Sequence, residues 1–200
     1  MKADALVPAF AILAVTLHTP TVSAGPLHDA VGSGDRAAVE RLIAPGVNID
    51  EIDDDSGLTP LIVAALAGDE DMVVLLVDNG ADPRGRDAKG FTALHAAAHM
   101  GRVDVVEVLL ARDVQLDDQK NVSRMTPLHL AAERDHRAVA EILLEHGATL
   151  GLKTEAGHTP LFLASLKGHD DMVRLLRRHG ADCTAIRSRK FRERCLNVTN

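Results

Sequence analysis

The apolar residues of this chain fall into two kinds of block that alternate with regular spacing. One kind is short and rich in Leu and Ala: Leu61 to Ala65, Leu94 to Ala98, Leu128 to Ala132 and Leu161 to Ala164. The other is built on Val and Leu: Val73-Val74-Leu75-Leu76, Val105-Val106-Glu107-Val108-Leu109-Leu110, Val139-Ala140-Glu141-Ile142-Leu143-Leu144 and Val173-Arg174-Leu175-Leu176. Ala and Leu are strong helix formers that also pack closely, so each block predicts a helix. Polar stretches carrying Ser56-Gly57, Lys89-Gly90 and Ala156-Gly157 separate the pairs. The pattern predicts helix pairs joined by projecting hairpin fingers.

Polar landmarks keep phase with these blocks. Thr59-Pro60-Leu61 returns as Thr92-Ala93-Leu94, Thr126-Pro127-Leu128 and Thr159-Pro160-Leu161, at intervals of 33, 34 and 33 residues. Gly80-Ala81-Asp82, Gly147-Ala148 and Gly180-Ala181-Asp182 recur behind the second helices. Self-similarity at such a period marks a solenoid, whose units bury their apolar faces only against their neighbours. The residue types suit the places they occupy. A Thr hydroxyl can accept a bond from an orphan N–H at a helix start, and Pro at the first helical position lacks only a donor that would be idle. Gly68, Gly101 and Gly168 are placed to end the first helices in the left-handed conformation, and Gly46, Gly80, Gly147 and Gly180 to end the second.

On these residues the chain resembles ankyrin repeats, whose pattern runs Thr-Pro-Leu-His, Ala-Ala, Gly, a Val/Leu helix and Gly-Ala. The match covers residues 25–183. Gly25-Pro26-Leu27-His28 and Gly34-Asp35 extend it to a degenerate first unit. The resemblance implies an all-α ankyrin-repeat solenoid with short β-hairpin fingers and five repeats, at 25–50, 51–83, 84–117, 118–150 and 151–183. Residues 184–200 follow as a basic tail or cap. Two departures stand out: Asp113 and Asp135 replace helix-ending glycines. One extra residue lies between repeats three and four, in the Asp117–Arg124 loop, and the fourth finger, Asn121 to Met125, lacks its glycine. The Asp113–Met125 region is therefore expected to be the most irregular.

The first 24 residues read as an export signal: Lys2, an apolar run from Ala5 to Leu17, and small residues at Val22-Ser23-Ala24. The run is too short to span a bilayer. Export points to the periplasm if the host is a bacterium and to secretion otherwise, and in either setting Cys183 and Cys195, the two cysteines of the chain, are expected to form a disulfide. The tail would then fold over the last repeat, with Ile186, Phe191 and Leu196 covering its apolar face; the alternative is a free basic tail that binds an anionic partner or membrane surface.

The net charge of −7 argues against nucleic acid as partner, although the tail carries +4 against −11 elsewhere. The resemblance implies protein binding through a concave surface made of finger tips and exposed first-helix positions. Carried over by position, these are Asp53, Asp54, Asp55, Arg86, Lys89 and Arg124 in the fingers. The helices contribute Leu66, His99, Met100, Glu133, Arg134, Leu166 and Lys167. Leu66, Met100 and Leu166 are expected to form an apolar strip. The acidic run Asp50 to Asp55 lacks the ligand order of a calcium loop. His95 and His99 have zinc-compatible spacing without an evident third ligand, and His95 and His129 are expected to make structural hydrogen bonds between repeats. No nucleophile elbow or phosphate loop occurs. Asn121-Val122-Ser123 and Asn197-Val198-Thr199 match the glycosylation pattern, which matters only in a eukaryotic host. The expectation is a monomeric, non-enzymatic binding module without metal, cofactor or membrane span. It would scaffold or stabilise an exported protein, inhibit a toxin or enzyme as an immunity-type protein, or act as an effector on a host protein.

Overall fold

The computed structural model describes residues 25–43, 47–112 and 114–198. The expected export signal, Gly46, Asp113 and Thr199 lie outside the described residues.

Among the described residues five helix pairs follow one another: α1 (Pro26–Gly32) with α2 (Arg36–Leu42), α3 (Pro60–Ala67) with α4 (Glu70–Asp78), and α5 (Ala93–Met100) with α6 (Val103–Leu110). Then come α7 (Pro127–Arg134) with α8 (Arg137–Glu145), and α9 (Pro160–Lys167) with α10 (Asp170–Arg178). A 3₁₀ turn, Cys183–Ala185, and a final helix α11 (Arg189–Asn197) close the array. First helices pack in series from α1 to α9, second helices in series from α4 to α10, and α11 packs on α9.

Local chemistry sets the boundaries. The hydroxyls of Thr59, Thr126 and Thr159 accept bonds from the N–H groups of Ile62, His129 and Phe162, and proline opens each of these three helices. Gly68, Gly101 and Gly168 end first helices at positive φ, and Asp135 does so at φ 60°. Asp is among the few residues that accept this conformation at modest cost.

The core is one continuous cluster running from Leu27 to Val198. Paired small residues (Ala64 and Ala65, Ala97 and Ala98, Ala131 and Ala132, Ala164 and Ser165) are fully buried between successive first helices. Their size lets the helices approach closely. Leu76, Leu109, Leu143 and Leu176 are buried to the same degree in the second layer, each contributing roughly 1.5–3 kcal/mol. A second, smaller cluster of Phe91, Met125, Leu130 and Leu163 lies apart from the main one.

Among the described residues there is no β-strand. The fingers, expected as β-hairpins, are turns each closed by two main-chain bonds: Asp53 N–H to Leu58 O with Gly57 N–H to Asp53 O, Asp87 N–H to Phe91 O with Gly90 N–H to Asp87 O, and Thr154 N–H to His158 O with Gly157 N–H to Thr154 O. One bridging pair, Arg86 with Thr92, is all that remains of a ladder. The unusual fourth finger is held by Asn121, whose Oδ1 accepts from the N–H groups of Ser123 and Met125 while its Nδ2 donates to Met125 O. Arg124 takes φ 51° where the other fingers have glycine. Gly90 has no such freedom to be replaced. Its φ is 85°, and a Cβ there would stand 2.5 Å from the carbonyl oxygen of Lys120. Gly90→Ala is expected to destabilise the array by about 2 kcal/mol, measured as a lowered midpoint in urea.

Candidate binding surface

The fingers are joined to one another by a repeated main-chain contact. Ala88 N–H donates to Gly57 O at 2.8 Å, Val122 N–H to Lys89 O at 3.0 Å and Glu155 N–H to Ser123 O at 2.9 Å. A second set of contacts lies beneath. His95 and His129 are fully buried. Nδ1 of each accepts the main-chain N–H of its own capping Thr, at 3.2 and 3.1 Å. The opposite nitrogen must then carry the proton. It donates into the next repeat, His95 to Asp118 O and Met125 O, His129 to Leu152 O and His158 O. Desolvation pushes both rings down to about 4, against the opposing pull of these carbonyl partners. They are staples between repeats.

A third set ties the ends of the first helices. Arg102 Nε donates to Leu66 O, His136 Nε2 to His99 O and His169 Nε2 to Glu133 O. In each case the residue just after a helix-ending position reaches back one repeat and satisfies a carbonyl that the helix itself leaves open.

These contacts sort the sequence candidates. Asp53 is 5% exposed, and its carboxylate accepts the N–H of Ser56 inside its own finger, holding its pKa down. It is a turn organiser and not a contact residue. The same place is filled by Asp87, Asn121 and Thr154, whose side chains likewise accept finger amides. Arg86 is also withdrawn from the surface role. It makes a bidentate pair with Asp118, at 2.8 and 2.5 Å, and a further bond to Gly90 O. The Asp118 side chain is 1% exposed. Burial alone would raise its pKa, but the Arg86 fork and the Lys120 N–H hold it below the usual carboxylate range. His99 is 5% exposed, and burial followed by the charge of Arg134 pushes its pKa down to about 4. Three of the expected contact residues therefore belong to the scaffold.

The expected strip of Leu66, Met100 and Leu166 is not formed. By repeat position Leu66 aligns with His99, Glu133 and Leu166, and this row is buried or half-buried. Met100 aligns with Ala67, Arg134 and Lys167, and all four of these are exposed. The two apolar ends of the first row are separated by buried His99 and by Glu133, which pairs with Lys167 at 3.3 Å. The exposed row reads apolar at its start, where Ala67 and Met100 stand, and basic at its end. Asp54, Asp55 and Arg124 are exposed in the fingers, and Lys89 is half-buried. Val122, 67% exposed at the tip of the fourth finger, joins the same edge. Its signal in the sequence is an apolar side chain inside an otherwise polar turn.

Among the described residues, no group of His, Cys, Asp and Glu is placed to hold a metal ion, and no helix is long and apolar enough to cross a membrane. Cys183 and Cys195 stand at disulfide distance, with Cα atoms 5.8 Å apart.

A family model described as ankyrin repeats (3 copies) matches residues 27–120 and again residues 111–187. Over 125 residues, 62% of this chain and 11% of the relative, the sequence is 37% identical to inversin of Gallus gallus. It is 36% identical to the inactive serine/threonine-protein kinase TEX14 of Bos taurus over 115 residues, 56% of this chain and 8% of that one. With ankyrin repeat and SOCS box protein 16 of Mus musculus it shares 39% identity over 114 residues, 52% of this chain and 24% of the relative. The chain thus spans a quarter or less of the length of these proteins, and the likeness is confined to that share.

Proposed function

The chain belongs to the ankyrin-repeat family, and on that premise we propose that it is an exported module that binds and stabilises another protein. The supporting observation is the division of labour among its side chains. Titratable groups that sequence alone would allow a chemical role, such as His95, His129, Asp118 and Arg86, are used in joining repeats. Exposed beside them is the row Ala67, Met100, Arg134 and Lys167 together with the finger tips, although Arg134 also reaches His99 and Lys167 also pairs with Glu133 of the preceding repeat. A preformed row on rigid helices binds with little ordering cost, and an apolar centre beside charges is the composition of a binding hot spot with its rim. Export rests on the composition of residues 1–24 and suits the paired cysteines.

The test is capture from the native envelope fraction with tagged residues 25–200, after brief crosslinking. Met100→Asp combined with Arg134→Glu and Lys167→Glu serves as the control. One dominant partner is expected, lost in the triple variant. A partner retained by that variant would remove the row from the interface. If the captured partner is an enzyme whose activity the complex abolishes, the module is an inhibitor and not a stabiliser. The N-terminus of the protein recovered from its own cell reports export: it should begin at Gly25, and a chain beginning at Met1 would contradict the reading.

A further inference from the structure

We propose that the groove between the fifth finger and the C-terminal cap binds an extended, acidic peptide segment of the partner as if it were a sixth finger. The proposal deepens the binding reading above and rests on it.

The observation is an interrupted series. Each finger offers one main-chain carbonyl that the next finger fills: Gly57 O takes Ala88 N–H, Lys89 O takes Val122 N–H, and Ser123 O takes Glu155 N–H. Lys89 and Ser123 stand at the same repeat position, one residue before that of Gly57, and the next residue at that position is Ala156. Among the described residues no main-chain N–H donates to its carbonyl oxygen. The space beside the finger differs in the same way. A Cβ built on Gly57 meets Ala88 at 3.0 Å, and one on Gly90 meets Lys120 O at 2.5 Å, because the next finger presses against them. A Cβ on Gly157 meets nothing within 4 Å. The helices of the fifth repeat, by contrast, are covered. α11 packs on α9, Ser165 Oγ donates to Phe191 O at 2.9 Å, and Arg194 lies against Gly168 as His136 lies against Gly101. The tail replaces the helices of a sixth repeat and leaves the place of its finger vacant.

That place is a groove of about 250 Å³. Phe162 and the buried Ile186 give it an apolar lining, and Lys153 and Arg187 supply two cations. Neither cation is in an ion pair among the described residues, although the chain as a whole carries −7. An open main-chain acceptor, an apolar floor and a cationic rim together fit an extended strand. Its N–H would donate to Ala156 O, one apolar side chain would sit over Phe162 and Ile186, and carboxylates beside that residue would face Lys153 and Arg187. This is edge addition in its shortest form, with main-chain bonds supplying affinity and the flanking charges selecting the partner.

The probe is a short fluorescein-labelled peptide with a central Val flanked by Glu, titrated against oxidised residues 25–200 by fluorescence anisotropy. Three comparisons accompany it: the peptide with Lys in place of Glu, the peptide N-methylated at the central amides, and the double variant Lys153→Glu with Arg187→Glu. Circular dichroism and the melting curve establish that the variant is folded. Saturable binding is expected, weakened at least tenfold by each of the three changes. Amide resonances of Ala156 and Gly157 should move on titration while those of Ala67 and Met100 stay in place. No binding, equal binding of the Lys peptide, or undiminished binding by the double variant would each overturn the proposal, as would dimerisation through this edge in sedimentation. The two readings fail separately. A native partner that the double variant keeps and the Met100, Arg134 and Lys167 variant loses would leave the row standing and remove the groove.

Discussion

Acidification from about pH 6.5 to about 4 is expected to cost the array much of its stability, and the loss should trace to the staples His95 and His129, with buried His99, also held to about 4, adding to it. Both rings are buried, and desolvation brings both to about 4 from the ordinary 6.5. The folded state therefore holds them neutral where the unfolded chain takes up a proton. The stabilisation they provide is complete above 6.5, shrinks as the pH falls between 6.5 and 4, and is gone below the folded value. At 1.36 kcal/mol for each unit, a fall of this size corresponds to about 3 kcal/mol for each ring. Asp87 works in the opposite sense, because burial raises its pKa and its protonation favours the fold. Asp118 and Asp53, both held low, add their own losses at still lower pH. Urea midpoints measured across this window should fall steeply above pH 4. His129→Phe supplies the control, since Phe162 already occupies the same place in the fifth repeat. That variant is expected to be less stable near neutrality, because Leu152 O and His158 O lose their donor, and to show a smaller decline with acid. An unchanged decline would mean that His129 is not the titrating staple.

The sequence carried the helical array more clearly than the surface, and the reason lies in the range of the interactions. Thr59, Thr126 and Thr159 cap helices through amides three residues away, and Asp135 adopts the left-handed conformation where it stands, so a local pattern suffices to place them. Arg86 and Asp118 are 32 residues apart and meet only when fingers three and four stack. Read along the chain, Arg86 is a solvated cation, and only tertiary contact makes it a clamp. Asp53 fails in a similar way. A run of carboxylates reads as repelling charge, whereas a finger without strands needs a polar side chain inside to satisfy its amides. The strip of Leu66, Met100 and Leu166 was lost through register. A shift of one residue turns a side chain about 100° around a helix, which moves Met100 out of the row of Leu66 and into that of Arg134 and Lys167. The groove beside Gly157 had no signature in the sequence, because what defines it is the neighbour that is missing.

Reduction of Cys183–Cys195 is expected to loosen the C-terminal end first and to lower the melting temperature by several degrees. The bond closes a loop with a sequence separation of 12, worth about 3 kcal/mol in the chain-entropy description. Other contacts already hold the cap in place. Ile186, Cys195 and Val198 are buried, Phe191 meets Phe162 edge to face at 5.6 Å, and Arg177 Nη1 donates to Cys195 O and Val198 O. The reduced cap should therefore remain folded part of the time and open more often. In a solenoid each repeat is supported only by its neighbours, so the change belongs to α11, α9 and α10 and should fade toward α1. Hydrogen exchange reads this directly: amides of α9 to α11 should exchange faster on reduction, while those of α3 to α6 keep their protection. Cys183→Ser with Cys195→Ser should reproduce the pattern without reductant. Uniform loss along the array would mean that the five repeats unfold as one unit, and unchanged melting and exchange would mean that the cap is held by its packing alone. Because such a bond persists only in an oxidising compartment, an effect of this size also ties the integrity of the last repeat, and of the groove beside it, to the proposed export of the chain.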